Sequence, residues 1–237
     1  MIQTEGIFVG GSAISAPIIG EDFNWTGGDG TYQVLDDGGG NWRIKFLSSG
    51  TFTPLKNMVI DVFLVGGGGG AGSSYCGEGG AGYTTTVRSV VLTANTAYSI
   101  VVGAAGTNGN PSSAGGETTA FTASAAGGKN TSNGTSSSKR PGGAGGSGGA
   151  GYVSPVATTT GGTDGGDGTD SATAGGKGQG TTTREFGEAD GDLYASGGGS
   201  NLSATVANSG NGGRNGITSI APADGIVVIR QHKEVAA

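Results

Sequence analysis

The sequence predicts an all-β protein: an antiparallel β-sandwich scaffold that carries an inserted bundle of glycine-rich polyglycine II helices, with almost no α-helix. Three observations predict this fold class. No segment sustains the i, i+3, i+4, i+7 apolar pattern of an amphipathic helix. Short alternating or β-branched runs recur along the chain, as they do in strands. Glycine accounts for 55 of the 237 residues, and in places it follows a period of three.

The predicted elements divide the chain into two regions. Residues 1–47 form an N-terminal β segment, and residues 48–237 form the glycine-rich sandwich with its bundle. Within the second region we expect strands at about 50–65, 83–123 and 225–231, and glycine-rich rods mainly at 66–82 and 127–216.

Alternation is clearest in the run NWRIKF. Trp42, Ile44 and Phe46 fall on one face of this strand, and Arg43 and Lys45 fall on the other. Such a pattern is typical of an antiparallel sheet with one buried face. Five aromatic side chains are expected to supply much of the sandwich core: Trp25, Trp42, Phe46, Phe52 and Phe63.

The rods are predicted from the spacing of glycine. In the run GGAGGSGGAG, glycine occupies two of every three positions and the third residue is always small. Three residues per turn is the period of the polyproline II helix, whose backbone groups are free to bond to neighbouring helices. A flexible, disordered insertion is the alternative interpretation of such a composition. The glycines predicted to be structural are Gly66, Gly67, Gly68, Gly69, Gly70, Gly142, Gly143, Gly145, Gly146, Gly148 and Gly149.

A dinucleotide-binding site is the competing interpretation of the run VIDVFLVGGGGGAG. An apolar strand there precedes a G-x-G-x-x-G match at Gly67, Gly69 and Gly72. That fingerprint requires a helix after the third glycine. The following residues include four glycines within 77–82, which leave no helix to bind a phosphate.

Composition excludes several classes of function. The formal net charge of −6 argues against a nucleic-acid or anionic-membrane binder. Because Cys76 and His232 are the only residues of their types, neither an intramolecular disulfide nor a zinc site of the usual ligands is expected. A calcium site at Asp164, Asp167 and Asp170 rests on one imperfect copy of a repeat. We therefore predict no metal, no cofactor and no membrane insertion.

Five motifs taken in order resemble the glycine-rich proteins of bacteriophage and prophage tail fibres. They are a Gly-Thr-Phe-Thr strand, a strand that enters polyglycine, a Leu-Thr strand pair ending in Val-Gly, a Gly-Gly-x-Thr-x-Phe strand and a terminal Gly-Ile-Val-x-Ile-Arg strand. The resemblance covers roughly residues 48–230. The motifs fall at Gly50–Thr53, Ile60–Gly70, Leu92–Gly103, Gly115–Phe121 and Gly225–Arg230.

The resemblance implies a virion protein that acts outside the cell at the host surface. In some tail adhesins of this kind, the loops that join the rods form the receptor-binding tip. The implied partners are other tail or fibre proteins and a bacterial surface glycan or outer protein. A homo-oligomer is also implied, with a trimer the common state among fibres. Residues 1–47 lie outside the shared motifs and are expected to attach the protein to the virion or to assemble the oligomer.

Loops with aromatic or charged residues among small ones are the candidate binding sites, because rigid rods place function in the loops between them. The first candidate is the run TTTREFGEADGDLYAS, and a second loop contributes Tyr75. Aromatic rings can stack on sugar faces, and carboxylates can accept bonds from hydroxyl groups. Alternatively, the two rings of the first loop pin it to the bundle, and Tyr75 is buried. The candidate residues of the first loop are Arg184, Phe186, Asp190, Asp192 and Tyr194.

The leading functional prediction is a non-enzymatic tail-fibre or tail-tip component that binds the host cell. No nucleophile, paired carboxylate or metal cluster points to an enzyme. A head or tail decoration fibre without receptor specificity is the structural alternative. Ice binding by a regular glycine-rich face is a more remote one, since the non-glycine positions of the rods are irregular.

Overall fold

The computed structural model describes residues 22–28, 30–38, 40–135, 141–151, 153–154, 157–158, 183–199, 205–214 and 219–231. The all-β prediction is confirmed: within these residues, one 3-10 turn at Glu185–Gly187 accompanies the strands. The strands are β1 Phe23–Trp25, β2 Tyr32–Gly38, β3 Asn41–Phe46, β4 Gly50–Pro54, β5 Met58–Val65, β6 Thr84–Leu92, β7 Tyr98–Val101, β8 Thr118–Ala120, β9 Ala123–Ala125, β10 Val153–Ser154, β11 Ala157–Thr158 and β12 Ile226–Gln231.

Two five-stranded antiparallel sheets form the sandwich. Sheet 1 has the strand order β1-β4-β7-β8-β9, and sheet 2 has the order β2-β3-β12-β5-β6. A short antiparallel pair, β10-β11, stands apart from both. The sequence positions these sheets through alternation: on β3, Trp42, Ile44 and Phe46 are buried in the core, whereas Arg43 and Lys45 lie on the outer face of sheet 2.

The core between the sheets contains most of the aromatic residues that the sequence assigned to it. Phe52 is fully buried there, and Trp25 packs against its margin. Phe63 is the exception, because it belongs to a second apolar cluster on the outer face of sheet 2. Its neighbours on β5 point inward at alternate positions, so Phe63 has to point outward, and a loop covers it there.

The strands of the N-terminal segment belong to these same sheets. β1 pairs with β4 in sheet 1, and β3 pairs with β12 in sheet 2. Among the described residues, 22–46 are thus part of the sandwich and form no separate body. Residues 1–21 lie outside the described part of the chain.

The glycine-rich segments are extended rods joined to one another by backbone hydrogen bonds. Rods 103–109, 113–117 and 221–225 lie outside the ranges in which rods were mainly expected. Their glycines are isolated or paired. These rods are held by hydrogen bonds to the glycine-rich rods beside them. The described rods are 66–72, 77–83, 103–109, 113–117, 126–131, 142–146, 147–151, 195–199, 209–214 and 221–225.

Rod 77–83 shows the predicted period of three directly. Starting at Glu78, successive amides donate in rotation to rods 147–151, 209–214 and 126–131, and the cycle then repeats. The six N···O distances lie between 2.8 and 2.9 Å. Three residues per turn, with every bond made to a neighbouring helix, is the arrangement expected of a polyglycine II helix.

The carbonyl groups of the same rod bond to a different set of neighbours. They accept hydrogen bonds from rods 66–72, 142–146 and 195–199. Rod 77–83 therefore has six hydrogen-bonded neighbours, which places it at the centre of the bundle. The backbone groups of these buried segments are satisfied by adjacent rods instead of by a sheet ladder.

Glycine is required in the rods because backbone passes against backbone. For nine of the eleven predicted structural glycines, an added methyl group would lie within 3.0 Å of a carbonyl oxygen on a neighbouring rod. The other two, Gly142 and Gly148, lie in the same lattice. The nine are Gly66, Gly67, Gly68, Gly69, Gly70, Gly143, Gly145, Gly146 and Gly149.

Six strands continue directly into rods, and all six do so at the same end of the sandwich. β5, β7 and β9 lead out into the bundle, while β6, β8 and β12 are entered from it. Thr118 joins the two sheets at this junction. Its buried hydroxyl accepts the amide of Gly103 at 2.9 Å and donates to the carbonyl of Val65 at 2.7 Å. The spacing of the strands therefore fixes where the rods begin.

Candidate functional site

The loops that follow rods 66–72, 103–109, 126–131 and 209–214 meet at the end of the bundle remote from the sandwich. We call this surface the distal tip and define it as residues 73–76, 110–112, 132–135, 214 and 219–220. Rods 66–72 and 103–109 reach it side by side, since Gly72 and Gly109 form a parallel bridge. Residues from separate parts of the chain are thereby collected on one surface.

Hydrogen bonds fix the tip loops to one another. Asn133 accepts the amide of Ser73 at 2.6 Å and donates to the hydroxyl of the same residue at 2.9 Å. The buried hydroxyl of Thr131 accepts the amide of Gly72 at 2.9 Å and donates to the carbonyl of Gly77 at 2.7 Å. At the tip, these short polar side chains bond to the backbone groups that are bonded by neighbouring rods elsewhere in the bundle.

Asn108 closes the bundle just below the tip. Its Oδ1 accepts the amide of Ala71 at 2.8 Å, and its Nδ2 donates to the carbonyls of Arg214 and Ile220 at 3.0 and 2.8 Å. One amide side chain thus connects rods 66–72 and 209–214 with the residue that precedes rod 221–225. All its polar groups are used in the lattice, so its role is structural.

Tyr75 lies on the distal tip and keeps 42% of its surface exposed. The side chain is therefore exposed, and the alternative prediction that it is buried is wrong. The neighbouring Cys76 is half-buried, and burial together with the nearby Glu78 raises the pKa of its thiol. The thiol therefore stays protonated and is a poor nucleophile near neutral pH.

The first candidate loop lies elsewhere, against the outer face of sheet 2. Phe186 and Tyr194 are only 2% and 7% exposed, and they pack on Phe63 and Val228. The two rings therefore pin the loop, as the alternative interpretation predicted, but they pin it to the sandwich and not to the bundle. They are not presented to solvent, and they lie away from the tip.

The buried end of this loop is held by charge. Glu185 is buried and pairs with Arg43 at 2.6 Å and with Lys45 at 3.0 Å. The hydroxyl of Tyr194 donates to Glu185 at 3.1 Å and accepts from Lys45 at 3.0 Å. Burial raises the pKa of Tyr194 to about 12, so the phenol remains protonated.

A second charge cluster holds the middle of the loop. Arg230 makes two bonds to Glu188, at 2.7 and 2.8 Å, and its guanidinium lies 4.2 Å from the centre of the Phe186 ring. Asp61 pairs with both Arg230 and Arg88 at 3.0 Å. The bond from Arg230 lowers the pKa of Glu188, against a smaller opposing effect of burial.

The remaining predicted residues of the loop differ in their surroundings. Asp190 is exposed. Asp192 is exposed over 65% of its side chain but bonds to Lys45 at 2.7 Å, which lowers the pKa of its carboxyl group. Arg184 is half-buried and donates to the carbonyl of Gly191 at 2.9 Å.

The charged face beneath the loop was missed in the sequence, although a signal was present. Arg43, Lys45, Arg88 and Arg230 occupy outward positions on strands whose inward positions are apolar. Four cationic side chains on one face of a sheet, in an acidic chain with an acidic loop, indicate that the loop covers this face. Asp61 adds a buried carboxylate among them.

The described part of the chain offers neither a metal-binding cluster nor a membrane-spanning helix. These residues hold no group of three or more His, Cys, Asp or Glu side chains suited to a metal ion. None of their helices has the length and apolar character needed to cross a bilayer. The calcium candidates Asp164, Asp167 and Asp170 lie outside the described residues.

Comparison with protein families places most of the chain in one family. A family model described as a glycine-rich domain matches residues 47–230. No curated protein matches the chain. The matched span runs from the end of β3 almost to the end of β12 and includes all the described rods. The chain belongs to the glycine-rich domain family.

Proposed function

We propose that this chain is a non-enzymatic virion protein of a phage or prophage, a tail-fibre or tail-tip component that binds the host cell surface. One observation carries the proposal. Six strands adjoin rods at the same end of the sandwich, so the loops that follow rods 66–72, 103–109, 126–131 and 209–214 form a single surface at the far end of a rigid body. A rigid support with binding loops at its end is suited to recognition at a distance.

The tip has the chemistry of a polar recognition surface. Tyr75 offers an exposed ring, and the same tip carries the hydroxyl and amide groups of Ser73, Ser74, Ser132 and Asn133. Aromatic rings with one polar end are frequent anchors of binding surfaces. Because the loops are already bonded to one another, little conformational entropy is lost on binding. A bacterial surface glycan or an outer protein loop fits this surface.

The proposed site therefore centres on Tyr75 and not on the first candidate loop. Phe186 and Tyr194 are buried against sheet 2, and Arg184 and Asp192 bond within the protein. Asp190 is the exposed member of that set. A substitution at Asp190 therefore tests whether the host surface contacts the sandwich side instead of the tip.

The proposal also includes the partners of the sandwich end. β12 runs away from the bundle to Gln231, and β1 begins at Phe23 beside the end of β4. Both ends of the described chain therefore leave from the side opposite the tip. That side is where we place attachment to other tail or fibre proteins and assembly of a homo-oligomer, for which a trimer is the state to test by light scattering.

The test is binding of the fluorescently labelled protein to intact candidate host cells. Tyr75→Ala is compared with Asp190→Ala, because both residues are exposed and both variants should fold. Saturable binding that weakens at least tenfold in the first variant alone supports the tip as the site. Loss in the second variant alone places contact on the sandwich side. Absence of binding across a broad panel of hosts contradicts the adhesin and favours a decoration fibre.

A further inference from the structure

The loop of residues 183–194, here called the strap, is closed on itself. The amide of Tyr194 donates to the carbonyl of Thr183 at 3.0 Å, and the amide of Glu185 donates to the carbonyl of Asp192 at 2.9 Å. Arg184 and Leu193 form an antiparallel bridge between them. A compact loop whose ends meet is an Ω-loop, which can move as one unit.

The strap is attached to sheet 2 through side chains. Among the described residues, the hydrogen bonds between strap and sheet all come from Arg43, Lys45, Arg88 and Arg230. The strands beneath already have their ladder partners within sheet 2. The strap can therefore leave without breaking a backbone ladder. Regions of this kind open at a lower free energy than the strands of the core.

Backbone strain also favours release. Phe186 has φ 55° and ψ 17°, in the left-handed region that a bulky residue seldom adopts. Ala195, where the strap joins rod 195–199, has φ 56°. Such conformations persist only while the surroundings impose them. Here the surroundings are the ion pairs and the apolar cluster under the strap.

The surface beneath the strap has a defined chemistry. Phe63, Val65, Ile226 and Val228 form an apolar floor. The four cations of sheet 2 lie on the same outer face and bind the carboxylates of the strap. An aromatic ring on the floor, with carboxylates on either side of it, is the combination that this face accepts.

We propose that the strap is a latch over a concealed peptide-binding face, and that the partner of this face is an acidic peptide segment with an aromatic residue. The strap occupies the face in the closed state and has the composition of the partner that would displace it. The interaction is independent of the distal tip and of the function proposed for it. Opening the strap exposes the floor and the cations together, so binding and opening are coupled.

The first measurement is hydrogen exchange followed by mass spectrometry on the full chain. Glu188→Gln/Asp192→Asn removes two latch carboxylates at nearly constant volume. We expect the amides of 184–194 to exchange at least tenfold faster in this variant, with β5 and β12 unchanged. Asp190→Asn is the matched control, because its exposed carboxylate is not part of the latch and should change nothing. Strap amides that exchange together with the core strands in both proteins overturn the latch.

The second measurement is fluorescence anisotropy with a labelled peptide of sequence TREFGEADGDLY. We expect it to bind the double variant at least tenfold more tightly than the wild type, because the resident strap competes in the wild type. A peptide with its acidic residues replaced by amides should bind at least tenfold more weakly. Adding Arg230→Ala to the double variant should have a similar effect. If the double variant opens by hydrogen exchange and still fails to bind the acidic peptide, the concealed face is refuted.

Discussion

Substituting Gly82 by alanine should destabilise the whole molecule, although the change adds one methyl group. Gly82 lies in the central rod, where its amide donates to Gly210 at 2.8 Å. A Cβ at this position would overlap the carbonyl group of Gly66. Rods 66–72 and 77–83 cannot separate freely, because the amide of Gly66 donates to the carbonyl of Tyr83 at 3.0 Å in the same contact.

The magnitude follows from these bonds. Forcing the rods apart by about 1 Å weakens the two hydrogen bonds, and each buried group left without a partner costs about 1–3 kcal/mol. Overpacking alone costs about 1–3 kcal/mol. Alanine also restricts the unfolded chain more than glycine does, and this smaller loss of entropy on folding stabilises the variant by about 0.4–1 kcal/mol. We therefore expect a net loss of about 3 kcal/mol, a large fraction of the 5–15 kcal/mol that is typical of a folded protein.

The assay is equilibrium unfolding in urea, supported by thermal melting. For a chain of this size, about 3 kcal/mol corresponds to a fall in Tm of about 6–12 °C. Gly116→Ala is the matched control, since its amide also bonds to a neighbouring rod but the nearest atom to its Cβ is at 3.0 Å. We expect the control to cost under about 1 kcal/mol. Equal losses in the two variants would refute the argument that backbone overlap dictates glycine in the rods.

Three further predictions concern the junction and the strap. Thr118→Val should cost about 2–3 kcal/mol, because it leaves two buried backbone groups unpaired, whereas Thr118→Ser should retain most of the stability in the same urea assay. Tyr194→Phe should cost about 1–2 kcal/mol through its lost hydroxyl bonds. Because burial raises the pKa of Tyr194 to about 12, this contribution is fully present below about pH 10 and is lost only as pH rises through the folded value. The pKa values of Glu188 and Asp192 are lowered, so their ion pairs stabilise the fold above the ordinary carboxyl pKa of about 4 and lose this effect as pH falls through the lowered values. The difference in stability between wild type and Glu188→Gln/Asp192→Asn should therefore shrink in an acid titration below that pH.

Much of the fold follows from local patterns. Alternation in β3 placed Trp42 and Ile44 in the core, because side chains of a strand alternate between its faces. Glycine at two of every three positions predicted polyglycine II helices, because close contact of backbones excludes side chains on two sides of each turn. In both cases the property needed by the structure repeats along a short stretch of chain.

Features that depend on distant partners were not predictable in this way. Phe63 was assigned to the sandwich core, but residues 183–194 draw it into a second cluster. The rods at 103–109 and 113–117 lack the run of glycine at two of every three positions, and their hydrogen bonds to neighbouring rods identify them. The position of the strap depends on a charge pattern shared among four strands. No single segment shows that pattern.

The bundle is stable because the sandwich orders it. Fixing a backbone residue costs about 1–2 kcal/mol, and glycine loses the most freedom. A net hydrogen bond returns about 0.5–1.5 kcal/mol, and the rods have little apolar side-chain surface to bury. Order in an isolated rod is therefore close to balance or unfavourable. Six rods adjoin paired strands, so one end of each of these rods is already positioned. The remaining rods then bond to a lattice that exists before them. The sandwich thus acts as the nucleus of the bundle, and any change that loosens the junction at Thr118 should disorder the rods before it unfolds the sheets.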